Sequence, residues 1–115
     1  MPRPKPSEPN VNFSVRLPAV HLAALRTHCA DHDVIPAQAV RWSIRDYLAR
    51  HEADNNLMPA PFPGSDGAVY PARLPESLYA RMHAYCARNG LVLAQLVRWA
   101  LAEYLDKLEA ADATR

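Results

Sequence analysis

One feature constrains this chain more than any other: it contains the same pattern twice. Arg16-Leu17-Pro18 superimposes on Arg73-Leu74-Pro75 at an offset of 57 positions, and the alignment runs without a gap from 16–52 over 73–109. Fourteen of the aligned pairs are identical, among them Cys29/Cys86, Arg41/Arg98, Trp42/Trp99, Tyr47/Tyr104 and Glu52/Glu109. Tryptophan and cysteine recurring in register make coincidence untenable, so the repeat is the unit from which the fold must be built.

Each repeat opens on a period-two stretch. In Asn12-Phe13-Ser14-Val15-Arg16-Leu17, the apolar Phe13, Val15 and Leu17 fall on one face and Asn12, Ser14 and Arg16 on the other. That alternation predicts a half-buried strand. Pro18 ends it, because proline has no N–H for a ladder but suits the first turn of a helix. A helix of about fourteen residues follows, with Leu22, Leu25 and Cys29 at helical spacing, matched by Leu78, Tyr79, Met82 and Cys86. Gly90 suits a helix end, and Asp33 holds that place in the first repeat. A second helix is expected from near Pro36 and near Leu93. Its inward stripe is Val40, Ser43, Ile44, Tyr47 and Leu48, repeated as Val97, Ala100, Leu101, Tyr104 and Leu105.

One strand and two helices in about forty residues cannot bury enough surface to fold alone. A lone strand also leaves both edges open. Pairing the two strands antiparallel solves both problems within one chain. The expected fold class is therefore mainly α with a two-stranded antiparallel ribbon, in the order β-α-α-linker-β-α-α. The expected domains are a disordered Pro-rich arm over 1–10, a single composite domain over 11–109 and a tail over 110–115. Within the composite domain, 11–52 and 69–109 are the two units. The connector, 53–68, contains Pro and Gly and, fully extended, reaches roughly 50 Å, ample for the second unit to turn back beside the first.

Strand, Leu-Pro, two helices and a closing Tyr-Leu form a layout that resembles the ribbon-helix-helix family, the Arc/MetJ-like repressors and antitoxins. The resemblance covers about 12–52 and again 69–109. It implies a tandem ribbon-helix-helix chain folding as an intramolecular pseudodimer. The tandem arrangement is similar to that of TraY-type plasmid transfer proteins. The resemblance further implies binding of double-stranded DNA through the ribbon, in the major groove, where every base pair shows its own donor and acceptor pattern. Carried over by position, the base-reading residues are Asn12, Ser14 and Arg16 in the first unit and Val69, Pro71 and Arg73 in the second. Arginine suits guanine, asparagine suits adenine and serine serves either. The two half-ribbons are unequal, so an asymmetric site is expected and not a palindrome. Pro71 removes one N–H from the ribbon, tolerable only where that N–H would face outward.

The resemblance also implies that the start of each second helix grips a phosphate, through Ala37 and Gln38 and through Ala94 and Gln95. Ile35 and Val92 stand where a capping Ser or Thr is common, although Gln38 and Gln95 are placed to reach back as half of a capping box. Arg3 and Lys5 of the arm are further phosphate candidates. Net charge is only +1, so DNA binding rests on local placement of charge and not on the total.

Other conspicuous residues receive plainer readings. Cys29 and Cys86 read as small core hydrophobes. His28 and His32 read as solvated helix surface and not as metal ligands, because no second pair has suitable spacing. Trp42 and Trp99 lie about 200° around the helix from Val40 and Val97. They either pack on a neighbouring helix or the connector, or form a contact surface for another molecule. No paired carboxylates and no Ser/His/Asp set carry supporting context, so neither catalysis nor a cofactor is expected. No apolar run approaches the ~18 residues that span a membrane, and the first nine residues lack the apolar core of a signal peptide. The expected setting is the cytoplasm. The expected role is a transcriptional repressor or antitoxin-like autoregulator. A protein-interaction module or plasmid-transfer accessory factor with reduced DNA readout is the alternative. Besides DNA, a homo-oligomer on adjacent sites and a protein partner are the candidate partners.

Overall fold

The computed structural model describes residues 9–52 and 67–113. Six elements follow in order: β1 (Asn10–Pro18), α1 (Ala19–His32), α2 (Pro36–His51), β2 (Gly67–Pro75), α3 (Glu76–Asn89) and α4 (Leu93–Ala113). The two strands form one antiparallel sheet, with Asn10 opposite Pro75, Ser14 opposite Pro71 and Pro18 opposite Gly67. Positions related by the repeat therefore sit symmetrically about the Ser14–Pro71 pair.

The register also shows where the ladder bonds lie. Antiparallel pairs alternate between those exchanging two main-chain hydrogen bonds and those exchanging none. Just past the strand ends, the Glu76 N–H donates to the Pro9 carbonyl oxygen at 3.0 Å, which places the bonded pairs at Val11, Phe13, Val15 and Leu17. Pro18, Pro71 and Pro75 then all fall in non-bonded pairs, where a missing N–H costs the ladder nothing. Proline in this ribbon is thus compatible with pairing at every place it occurs. Gly67 serves a different need. A Cβ there would collide with the carbonyl group of Leu17, so the strand enters the ribbon through a residue that has none.

Beneath the ribbon lies one core shared by both repeats. Leu17, Leu25, Ile44 and Leu48 belong to the same buried cluster as Leu74, Met82, Leu96 and Leu101. Burying each such side chain contributes about 1.5–3 kcal/mol, and neither repeat supplies enough of them by itself. Helices α2 and α4 cross the molecule together, clamped by reciprocal ion pairs: Arg50 to Glu103 at 2.8 Å and Lys107 to Asp46 at 3.4 Å. Helices α1 and α3 end alike. Asp33 (φ 56°) and Gly90 (φ 65°) adopt the left-handed cap conformation. The following Val34 and Leu91 N–H groups close back on the carbonyls of Cys29 and Cys86 at 2.9 and 3.0 Å.

The structure corrects the expected fold class. The description as a tandem ribbon-helix-helix pseudodimer in the order β-α-α-linker-β-α-α gives way to a coarser one. The fold is mostly helical, with one two-stranded sheet and four helices in the order β-α-α-β-α-α, consistent with two tandem units. Each strand has nine residues, not the six that the alternation marked, and the second helices differ, with 16 residues in α2 against 21 in α4. Boundaries shift accordingly. Asn10, assigned to the arm, and Gly67 and Ala68, assigned to the connector, belong to the strands, and 110–113, assigned to the tail, continue α4. Residues 1–8 of the arm, with Arg3 and Lys5, residues 53–66 of the connector, and 114–115 lie outside the described residues.

Candidate nucleic-acid interface

Alternation along β1 and β2 does what period two dictates. Val15, Leu17, Ala72 and Leu74 are buried, and Asn12, Ser14, Arg16, Val69, Pro71 and Arg73 are exposed on the opposite face. All six predicted base-reading residues therefore come together on one surface. Directly opposed residues share a face, so Asn12 stands beside Arg73, Ser14 beside Pro71 and Arg16 beside Val69. Being non-bonded pairs, they place their side chains closer than the bonded pairs do. Asn12, Ser14, Pro71 and Arg73 help to line an open depression of about 380 Å³ at one end of this face.

The face is held from below. Phe13 and Tyr70, equivalent positions of the two strands, pack partly against the core. Phe13 also meets Tyr79 of α3 with ring centroids 5.7 Å apart. At the other end, the Arg16 Nη1 donates to the Gly67 carbonyl at 3.3 Å. That uses one of five guanidinium donors and leaves the fork available. The edge of β1 is fixed by a long-range bond, since the Arg98 Nε of α4 donates to the Arg16 carbonyl at 2.8 Å. Its counterpart Arg41 turns instead to the Ala37 carbonyl on its own helix at 3.4 Å. From the sequence, a phosphate contact and a pairing with Glu or Asp stand equally open for both arginines. Their shared position early in the second helix of each repeat carries no signal of which would reach the ribbon.

The starts of α2 and α4 offer fewer free donors than expected. The Gln38 N–H is already bonded to the Ile35 carbonyl at 3.0 Å, and the Gln95 N–H to the Val92 carbonyl at 3.1 Å. Ile35, the N-cap of α2, makes no side-chain cap. Ala37 and Ala94 are each the second residue of their helix, where main-chain N–H groups have no partner within the helix. At the two helix starts, the open main-chain donors are those of Ala37 and Ala94, with the helix dipole behind them.

Trp42 and Trp99 part company. Trp42 is 42% exposed and borders a groove of about 440 Å³ with Tyr104, Leu108 and Ala111, whereas Trp99 packs partly against the core. The thiols of Cys29 and Cys86 are unpaired with one another and buried. Burial pushes both up, that of Cys86 to about 11, so each stays protonated and unreactive near neutral pH. His28 and His32 stack 4.5 Å apart beside a groove at Leu105 and Leu108. Among the described residues, no group of three or more His, Cys, Asp or Glu side chains is placed to hold a metal ion. No described helix is long and apolar enough to cross a membrane. The chain matches no family model, no curated protein and no solved structure.

Proposed function

We propose that this chain binds double-stranded DNA sequence-specifically, laying the exposed face of its two-stranded ribbon in the major groove, and acts in the cytoplasm as a transcriptional repressor or antitoxin-like autoregulator. The observation that carries the reading is the convergence of Asn12, Ser14, Arg16 and Arg73 on one outward face, opposite the buried Val15, Leu17, Ala72 and Leu74. A two-stranded ribbon fits the major groove, and this one presents guanine-, adenine- and thymine-directed groups side by side. The Ala37 and Ala94 N–H groups supply orientation through the phosphates, which position without specifying. Titrating a labelled duplex from the region upstream of its own coding sequence tests the reading. Affinity should fall steeply between about 50 and 200 mM salt, and Arg16→Ala should cost about 1–3 kcal/mol while relaxing preference at one base pair. If no fragment binds at low salt, the reading fails.

One observation favours a second reading. The exposed Trp42, beside Tyr104 and Leu108, suits a protein-interaction module or plasmid-transfer accessory factor, or contact between copies on adjacent DNA sites. Under that reading Trp42→Ala abolishes capture of a stoichiometric partner while leaving the fold intact.

A further inference from the structure

We infer that the ribbon reads a short DNA site with two chemically different ends, and that Val69 and Pro71 are the residues that make it so. The inference rests on the DNA-binding reading and adds the order of the target. The repeat relates Asn12 to Val69, Ser14 to Pro71 and Arg16 to Arg73. With Ser14 opposite Pro71 at the centre, two identical strands would present an Asn–Arg pair at both ends. Here only one end has it.

At that end Asn12 lies opposite Arg73. The amide matches the N6/N7 edge of adenine and the guanidinium the O6/N7 edge of guanine. At the other end Arg16 lies opposite Val69, which is 55% exposed and offers only apolar contact, the match for a thymine methyl. Four residues of strand separate the ends, about 13 Å, or about four base-pair steps at roughly 3.4 Å per step. The centre is unequal too. The Ser14 hydroxyl donates and accepts, whereas Pro71 opposite it can do neither through its side chain. The two ends also differ in support. Arg98 bonds the main chain at Arg16, and its counterpart Arg41 remains on its own helix.

One chain therefore recognises an element in which adenine and guanine at one end are followed, about four steps on, by guanine and thymine. Selection of the full chain from a pool of random duplexes, with stoichiometry measured on the winners, tests this. The expected motif is not its own reverse complement, is bound by one chain, and loses affinity about tenfold or more when its two ends are exchanged. The double variant Val69→Asn with Pro71→Ser restores the first strand's residues on the second and should select a palindrome. Val69→Asn alone should already raise the preference for adenine at the Arg16 end. A palindromic motif under one wild-type chain overturns the inference while leaving DNA binding standing. Failure of every duplex to be enriched at low salt takes down both.

Discussion

The two repeats agree through most of the core and differ on the ribbon face and at the seams where one repeat meets the other. The seam between α2 and α3 is closed by polar contacts. The Tyr47 and Tyr85 hydroxyls bond at 3.1 Å with their rings edge-on, Arg81 reaches Glu52 at 3.0 Å, and Arg88 donates to the Glu52 carbonyl at 3.2 Å. The equivalent seam between α1 and α4 carries Ala24, His28 and Asp31 where the other has Arg81, Tyr85 and Arg88. There the site is a groove of about 410 Å³, with Tyr104 half-buried against the edge of His28. Duplication therefore kept most of the shared apolar core. The two ribbon faces and the two seams between the repeats have drifted, the latter even at the buried Tyr85, where the first repeat has His28.

Substitutions at paired positions can break this comparison. Tyr47→Phe leaves the Tyr85 hydroxyl without its buried partner and should cost about 1–3 kcal/mol, whereas Tyr104→Phe should cost no more than about 0.5 kcal/mol. Equal losses in denaturant melts would mean that the two seams are alike. Alkaline pH separates the halves by a smaller amount. Cys86 is charged only when deprotonated, and its thiol rises from about 9 to about 11 on burial. The folded chain thus keeps a proton that the unfolded chain loses. That stability is complete below about pH 9 and should drain away as pH climbs to about 11, a loss of about 2 kcal/mol. Cys86→Ala should flatten the decline more than Cys29→Ala, and identical profiles would contradict the asymmetry. The smallest contrast lies at the helix caps. Asp33→Gly should stabilise by about 0.5–1 kcal/mol and Gly90→Ala should destabilise by about 1 kcal/mol, because both positions hold a left-handed backbone. Thermal melts that move in the same direction would refute the shared cap geometry.

Much of the fold is legible in the sequence, and the rest is hidden from it for identifiable physical reasons. Prolines, a glycine and an aspartate marked where helices begin and end, since backbone constraints act locally. Helical spacing marked Val40, Ile44, Tyr47 and Leu48 as inward, and all four are buried. The same spacing marked Tyr104 and Leu105, yet both are only partly buried. What covers them comes from α1, where the first repeat has histidine in place of tyrosine. Strand ends at Asn10 and Gly67 escaped notice because asparagine and glycine carry no alternation signal. The family-level fold description went further than the architecture supports. Of the candidate site, the identity of the outward residues followed from period two, but their partners across the ribbon did not. Register is a relation between two distant segments, and only the structure sets Asn12 against Arg73 and Arg16 against Val69.

DNA binding, as proposed, puts the outward ribbon face against the duplex. Nuclear magnetic resonance of the labelled chain, titrated with its selected duplex, measures this residue by residue. The largest shifts are expected on Asn12, Ser14, Arg16, Val69 and Arg73, with smaller ones at Ala37 and Ala94. Shifts centred on Trp42, Tyr104 and Leu108, with the ribbon unmoved, would contradict binding through the ribbon.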